Sequence, residues 1–210
     1  MPAAVKSART YTTKLRQEQA GLTRQRVLDA AKTLFVARGF GAVTMQEIAA
    51  EARVAYQTVY AQFGNKLNLA LELCASEFPH IGPTVGLLVA ARDRDDPEAW
   101  LRMIGTFARR LYEPCAEILR FMRESGDPDL LARYNEIQAG RMERLRDLGP
   151  QLERTGRLRP TLTPTQAVEL VWMLAGPETF EGLVLDQGWN PDHFEAWLNS
   201  TLVELLLAPR

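Results

Sequence analysis

Apolar positions recur along this chain with the 3.6-residue period of amphipathic helices, and no stretch alternates long enough to read as a useful strand. Val27, Ala30, Ala31, Leu34 and Phe35 share one face of a segment that opens at Arg26. Gly39 ends that segment as a left-handed C-cap, with Phe40 behind it. Met45, Ile48, Ala49 and Ala52 repeat the spacing in a shorter helix. Thr44 and Glu47 give this helix a capping box: the Thr44 hydroxyl accepts from the Glu47 N–H while Glu47 reaches back to the Thr44 N–H. Ala49 and Ala52 are small, as two helices crossing closely require. Val54 falls in the turn that follows, and Val59 and Phe63 pin the next helix to the first. A fourth helix carries Leu67, Leu71, Cys74 and Phe78.

Proline punctuates the remainder. Asp96-Pro97, Asp127-Pro128, Thr163-Pro164 and Asn190-Pro191 each join a capping residue to proline at the first helical position, predicting helix starts near 97, 128, 164 and 191. Thr163 and Gln166 form a second capping box. Glu113-Pro114 is expected to break the helix begun at 97 and start a short one with Ile118, Leu119 and Met122. Pro177 cannot donate to the carbonyl of Met173, so the helix from 164 should kink or break there. Residues 1–21 are basic, polar and core-free, which predicts a disordered tail. Residues 79–96, with Pro79, Gly82, Pro83 and Gly86, read as a loop whose apolar Val85 to Ala91 forms a helical turn or two.

Charge sharpens this picture. The 210 residues have a formal net charge of −1, but residues 1–66 carry +6 and residues 67–210 carry −7. A basic head on an acidic body directs the head at phosphate and keeps the body away from it. No run of about 18 apolar residues exists to span a membrane, and the N-terminus lacks the apolar core of a secretory signal. Cys74 and Cys115 are isolated and fit no zinc spacing, so they read as buried thiols of a cytoplasmic protein. His80 and His193 have no ligand partner at helical spacing. No catalytic or metal constellation stands out, which leaves no expected cofactor and argues against an enzyme.

Residues 44–63 therefore read as a DNA-reading helix-turn-helix. Tyr56, Gln57, Thr58, Tyr60 and Gln62 face outward from its second helix, offering amides, hydroxyls and phenols with no carboxylate. Over residues 24–72 the chain resembles the N-terminal domain of the TetR-type transcriptional regulators. The Ala30-Ala31-x-x-Leu34-Phe35 run, Gly39-Phe40, Thr44, Ile48-Ala49, Thr58-Val59-Tyr60, Phe63 and Lys66 carry the likeness. The other two thirds match in length and helical character. The resemblance implies an all-α fold of about nine helices: a disordered basic tail at 1–21, a three-helix DNA-binding domain at 22–66, and a larger ligand-binding and dimerisation domain at 67–210.

It also implies roles. Thr44 should donate to a phosphate with help from the helix dipole, and Tyr60 and Lys66 are the family's other usual phosphate contacts. Tyr56 and Gln57 open the recognition helix, where Gln57 can contact adenine N6 and N7. For Tyr60, packing against the first helix is the competing reading. For the tail (Lys6, Arg9, Lys14, Arg16), plain solvation competes with a minor-groove contact. Two positions depart from the family: Arg53 stands where the turn usually has glycine, and Ala55 where the recognition helix is commonly capped by Ser or Thr. Arg53 can offset its strain with a phosphate contact. These departures keep open a second reading, a helical small-molecule-binding or protein-interaction module that no longer reads DNA.

A pocket in such a bundle should draw on Trp100, Met103, Phe107 and Leu111 of the helix from 97, with Phe121, Met122, Tyr134, Trp172 and Met173 lining the same space. Taken singly, each is more often core than pocket. The dimer contact implied by the family falls on Val168, Phe180 and Val184, and on Phe194, Trp197, Leu198 and Thr201 of the last helix, with intrachain core as the competing reading. The expected partners are a double-stranded operator, a small mainly apolar effector and a second copy of the chain, with no membrane.

Overall fold

In the computed structural model, residues 4–76 and 96–209 are described, with side chains from residue 18 onward. The chain divides into two compact units, Met1–Cys74 and Ala75–Arg210. Among the described residues the architecture is helical, and the one strand-like feature is an isolated antiparallel bridge between Leu158 and Leu207.

The first unit begins with α1 (Ala4–Arg38), followed by α2 (Met45–Glu51), α3 (Tyr56–Phe63) and α4 (Lys66–Ser76). Helix α1 takes in residues 4–21, which the sequence suggested as a disordered tail. Half of that stretch is Ala, Lys, Arg and Gln and it has no internal proline, so it can propagate the helix nucleated by the packed segment after it. Val27, Ala31, Phe35, Ile48, Val59 and Phe63 are buried together with Leu69, Ala70, Leu73 and Cys74. The inward face of α4 is thus Leu69, Ala70, Leu73 and Cys74. Leu67 and Leu71, assigned to it from spacing, are half-buried, and Phe78 lies outside the described residues. The loop expected at 79–96 lies almost wholly outside them, as does His80.

The second unit contains α5 (Pro97–Glu124), α6 (Pro128–Leu145), α7 (Leu148–Arg154), α8 (Pro164–Leu174), α9 (Pro177–Phe180) and α10 (Pro191–Leu206). The four proline-marked starts fall where expected. Asp96, Asp127 and Asn190 cap with their side-chain oxygens, and Thr163 with Gln166 closes a capping box. Pro114, however, does not end its helix, because α5 runs through it to Glu124. Proline removes one ladder bond, but here the helix is buried on both sides of it through Ala108, Tyr112, Cys115 and Leu119. That packing outweighs the local cost of about 3 kcal/mol. Helix α5 packs most extensively on α10. Gly105 permits the approach, since a Cβ there would collide with the Asn199 side chain. Thr106 bonds Glu195 at 2.6 Å and Arg109 bonds Glu195 at 3.1 Å across the same seam.

The break expected at Pro177 is present, and it is wider than a kink. Helix α8 stops at Leu174, α9 starts at Pro177, and residues Glu181–Asp186 then form a π-turn in which the Gln187 N–H reaches back to the Gly182 carbonyl at 3.2 Å. This wide turn brings Glu181 and Asp186 within reach of one side chain: Arg120 holds Glu181 at 3.2 Å and Asp186 at 2.7 Å. No helix among the described residues is long and apolar enough to cross a membrane.

Candidate functional site

The outward face of α3 is built by what holds its inward face. Val59 and Phe63 are buried, and with α3 fixed on that side Tyr56 (37% exposed), Gln57 and Tyr60 (58% exposed) point to solvent. The two tyrosine rings lie 6.2 Å apart, and Thr58 is half-buried. Exposure of Tyr60 argues against its packing on the first helix. Ala55 precedes the helix in extended conformation and supplies no side-chain cap.

Arg53 occupies the turn between α2 and α3 at φ 55°, the left-handed region that costs a non-glycine residue about 1–2 kcal/mol. The structure contains a brace that the sequence did not disclose. Arg26, reaching across from α1, donates to the carbonyls of both Ala52 and Arg53. A cation on these carbonyls satisfies the end of α2 and holds the strained turn, so the angle between the two helices does not depend on glycine there. Only tertiary contact reveals this, because Arg26 lies one residue outside the apolar stripe.

Thr44 is the N-cap of α2, and its capping box with Glu47 is complete. Its hydroxyl accepts from the Glu47 N–H at 3.2 Å and lies 2.8 Å from the Glu47 carboxylate. Arg38 bonds the same carboxylate at 2.8 Å, and with the Thr44 hydroxyl and N–H it holds the Glu47 carboxyl down at about 2. Lys66 departs from its expected role. Its ammonium donates to the Phe40 carbonyl at 2.7 Å and the Val43 carbonyl at 2.8 Å, and sits 4.3 Å over the Phe40 ring. Two of its three donors are thus committed to the segment that delivers Thr44.

The model of the bacterial regulatory proteins of the tetR family matches residues 27–73, the segment whose geometry has just been described. This head is a TetR-family domain. The likeness to solved TetR-family structures extends along the chain. NalD of Pseudomonas aeruginosa, described as the secondary repressor of the MexAB-OprM multidrug efflux pump, superposes with a TM-score of 0.68 at 21% identity, over 91% of this chain and 100% of that one. The MbdR regulator of Azoarcus sp. CIB gives 0.70 at 20% identity, over 89% and 100%. FadR of Bacillus subtilis, solved with stearoyl-CoA, gives 0.63 at 19% identity, over 85% and 97%. At these identities the likeness speaks for the fold. No curated protein matches the sequence.

The second unit redistributes the residues assigned to ligand and dimer. Because α5 is continuous, Trp100 and Phe121 are separated by about 31 Å of helix at 1.5 Å per residue. One small ligand cannot touch both. The buried stripe of α5 is Leu101, Ile104, Ala108, Tyr112 and Cys115, and Trp100, Met103, Phe107 and Leu111 lie beside it, half-buried. Phe121, Met122 and Tyr134 are buried and Trp172 half-buried, whereas Met173 is 64% exposed and faces away from the interior.

Among the dimer candidates, Phe180, Phe194 and Leu198 are fully buried within their own chain. Phe194 stands edge-on to Phe180 at 4.9 Å, and Tyr112 lies 6.1 Å from Phe180 on the other side. These three belong to the core, because α10 turns them onto α5 instead of presenting them to a partner. Val168 is buried too, while Val184, Trp197 and Thr201 are half-buried and remain accessible.

The interior also holds polar groups that periodicity missed. Glu181 is almost fully enclosed between Arg120 and Arg123; burial pushes its carboxyl up, and the two guanidiniums pull it back. Tyr134 bonds Glu178 and accepts from Gln138 at 2.8 Å, and burial with Glu178 beside it pushes its phenol up to about 12. No spacing rule singles out Arg141, Gln138 or Glu181, because each owes its position to a neighbouring helix.

Proposed function

We propose that this TetR-family transcriptional regulator acts as a homodimeric repressor that binds a near-palindromic operator and is released by a small, mainly apolar effector. The observation that carries the DNA reading is the outward face of α3. Tyr56, Gln57 and Tyr60 stand exposed and free of carboxylates on a head of net charge +6. Gln57 reads adenine in the major groove, which is worth about 1–3 kcal/mol of discrimination. Tyr56 packs on a thymine methyl or donates to a phosphate, and Thr44 and Tyr60 serve the backbone. Arg26 supports this reading over that of a head which has lost DNA, because it supplies the turn with the bracing that Arg53 and Ala55 forgo.

One such head reads too few base pairs for useful specificity. Two, in a dimer, place their recognition helices about 34–36 Å apart on successive turns of DNA. Trp197, Thr201 and Val184, accessible on the body, supply the contact, with Trp197 as its aromatic anchor. NalD is described as a repressor and FadR was solved with stearoyl-CoA, and both share this fold. The effector acts by binding the spread arrangement of heads better than the DNA-competent one.

Fluorescence anisotropy on DNA taken from just upstream of the protein's own gene, followed by selection from random sequence, tests the reading. Nanomolar binding that survives scrambled competitor at physiological salt is the expected result. Equal, weak binding to every sequence after selection would overturn it.

A further inference from the structure

Arg141 is taken out of water with no acidic side chain bonded to it. It projects from α6 on the face it shares with Tyr134 and Gln138, and is 9% exposed. Its guanidinium donates to the Tyr112 hydroxyl at 3.1 Å, to the Ala175 carbonyl at 3.3 Å and to the Trp172 carbonyl, and it lies 4.7 Å from the Trp172 ring. Every one of those acceptors is neutral. Arg109, Arg120 and Arg123, the part-buried arginines of α5, each hold carboxylates instead. A buried cation is stabilised by an opposite charge far better than by carbonyl dipoles alone.

The surroundings of Arg141 are also short of partners. Its own Nε, the indole Nε1 of Trp172 and the amide oxygen of Gln138 are buried without a hydrogen bond. Buried polar atoms are almost always paired, so the unpaired Nε of Arg141 and Nε1 of the ring it lies over mark a place where a polar group binds. Both are donors at a positive charge, which calls for an anion with two acceptor oxygens. The rings of Tyr112 and Trp172 beside it are hydrocarbon surface, and Phe180 backs Tyr112 at 6.1 Å. Gly176 keeps the guanidinium's place open, since a Cβ there would meet its NH1 at 2.9 Å.

We propose that Arg141 anchors an effector that carries a carboxylate on a mainly apolar body. One buried cation balances one negative charge; a phosphate dianion would leave a second charge unpaired in the interior. The carboxylate accepts from Arg141 Nε and Trp172 Nε1. Both donors are ones that the carbonyls of Trp172 and Ala175 leave unused, so the guanidinium ties the bound carboxylate to the end of α8, immediately before the break at Gly176-Pro177. Effector binding is thereby coupled to the end of α8. This rests on the reading of the body as an effector domain.

The test uses the full-length protein and a panel of probes: straight-chain alkanoates of six to twelve carbons, phenylacetate and indole-3-acetate, each matched with the primary amide of the same skeleton. Affinity is measured by calorimetry, and operator binding is followed in parallel. At least one carboxylate is expected to bind ten-fold or more tighter than its amide, and Arg141→Gln should remove that preference by weakening the carboxylate far more than the amide. Trp172→Phe, which keeps the ring and deletes the N–H, should weaken the carboxylate several-fold, and it serves if the arginine variant does not fold. A panel in which no carboxylate outbinds its amide, or a preference that survives both substitutions, overturns the proposal. A carboxylate that binds through Arg141 without altering operator affinity leaves the site standing and overturns the effector reading instead.

Discussion

Replacing Lys66 by methionine separates two jobs that one ammonium group can do. Methionine keeps the unbranched apolar stem and removes the charge. In the structure that charge donates to the carbonyls of Phe40 and Val43 at 2.7 and 2.8 Å and sits over the Phe40 ring. A hydrogen bond to a charged group contributes about 1.5–3 kcal/mol, and half-exposure lets water recover part of it. The two bonds and the ring contact together then amount to about 2 kcal/mol of local stability. That corresponds to a roughly 30-fold faster amide exchange across residues 39–66, readable by mass spectrometry. The second readout is the salt dependence of operator affinity. A lysine that neutralises a phosphate contributes about one unit to the slope of log affinity against log salt. The geometry predicts faster exchange, weaker binding because Thr44 is no longer held in place, and a slope that does not change. Exchange at the wild-type rate together with a slope reduced by about one would refute this and make Lys66 a phosphate ligand.

Two further outcomes follow from the geometry. Glu47, held down at about 2 from an ordinary 4.5, contributes stability to the head that is complete above the ordinary value and is lost as pH falls through the lower one. In circular-dichroism melts, the advantage of wild type over Glu47→Leu should shrink below pH 4.5 and be gone near 2; an advantage constant across that window would exclude the carboxylate as its source. Phe194→Ala should destabilise the body by about 3–5 kcal/mol because it hollows the core against Phe180. The same change should not weaken self-association of the folded fraction in sedimentation, whereas Trp197→Ala should; the opposite pattern would return Phe194 to the interface.

Local chemistry was the legible part of this chain. The capping boxes at Thr44 and Thr163, the proline-led starts, the left-handed Gly39 and the break at Pro177 all follow from interactions spanning a few residues, which the order of residues states directly, whereas the left-handed turn at Arg53 was legible only through the family resemblance. Pro114 misled because its local cost is real, and only the packing of α5 along α10 outweighs it. Once that helix is continuous, a ligand set drawn from both its ends cannot converge. The terminal aromatics misled for a related reason: apolar spacing on α10 shows that Phe194 and Leu198 share a buried face, but not whether their own α5 or a second chain buries it. Lys66, Arg26 and Arg141 were the least legible, since a long cationic side chain finds its acceptors on other elements and leaves no periodic trace.

The π-turn at Glu181–Asp186 carries a consequence for how this chain tolerates changes in length. A π-turn is helix with one residue too many, and the surplus is what lets Arg120 grasp two acids that an ordinary helix would place on different sides. Deleting a single residue between them would let the segment relax to α geometry with the two acids four residues apart, a spacing that keeps them on one face for Arg120 and passes only a small rotation downstream. The short link at Gln187–Asn190 can absorb the rotation, and α10 starts afresh on its own Asn190 cap. The lost residue would therefore leave both ionic grips within reach and the seam between α5 and α10 in register, which makes residues 181–190 the point where the body can gain or lose length without refolding.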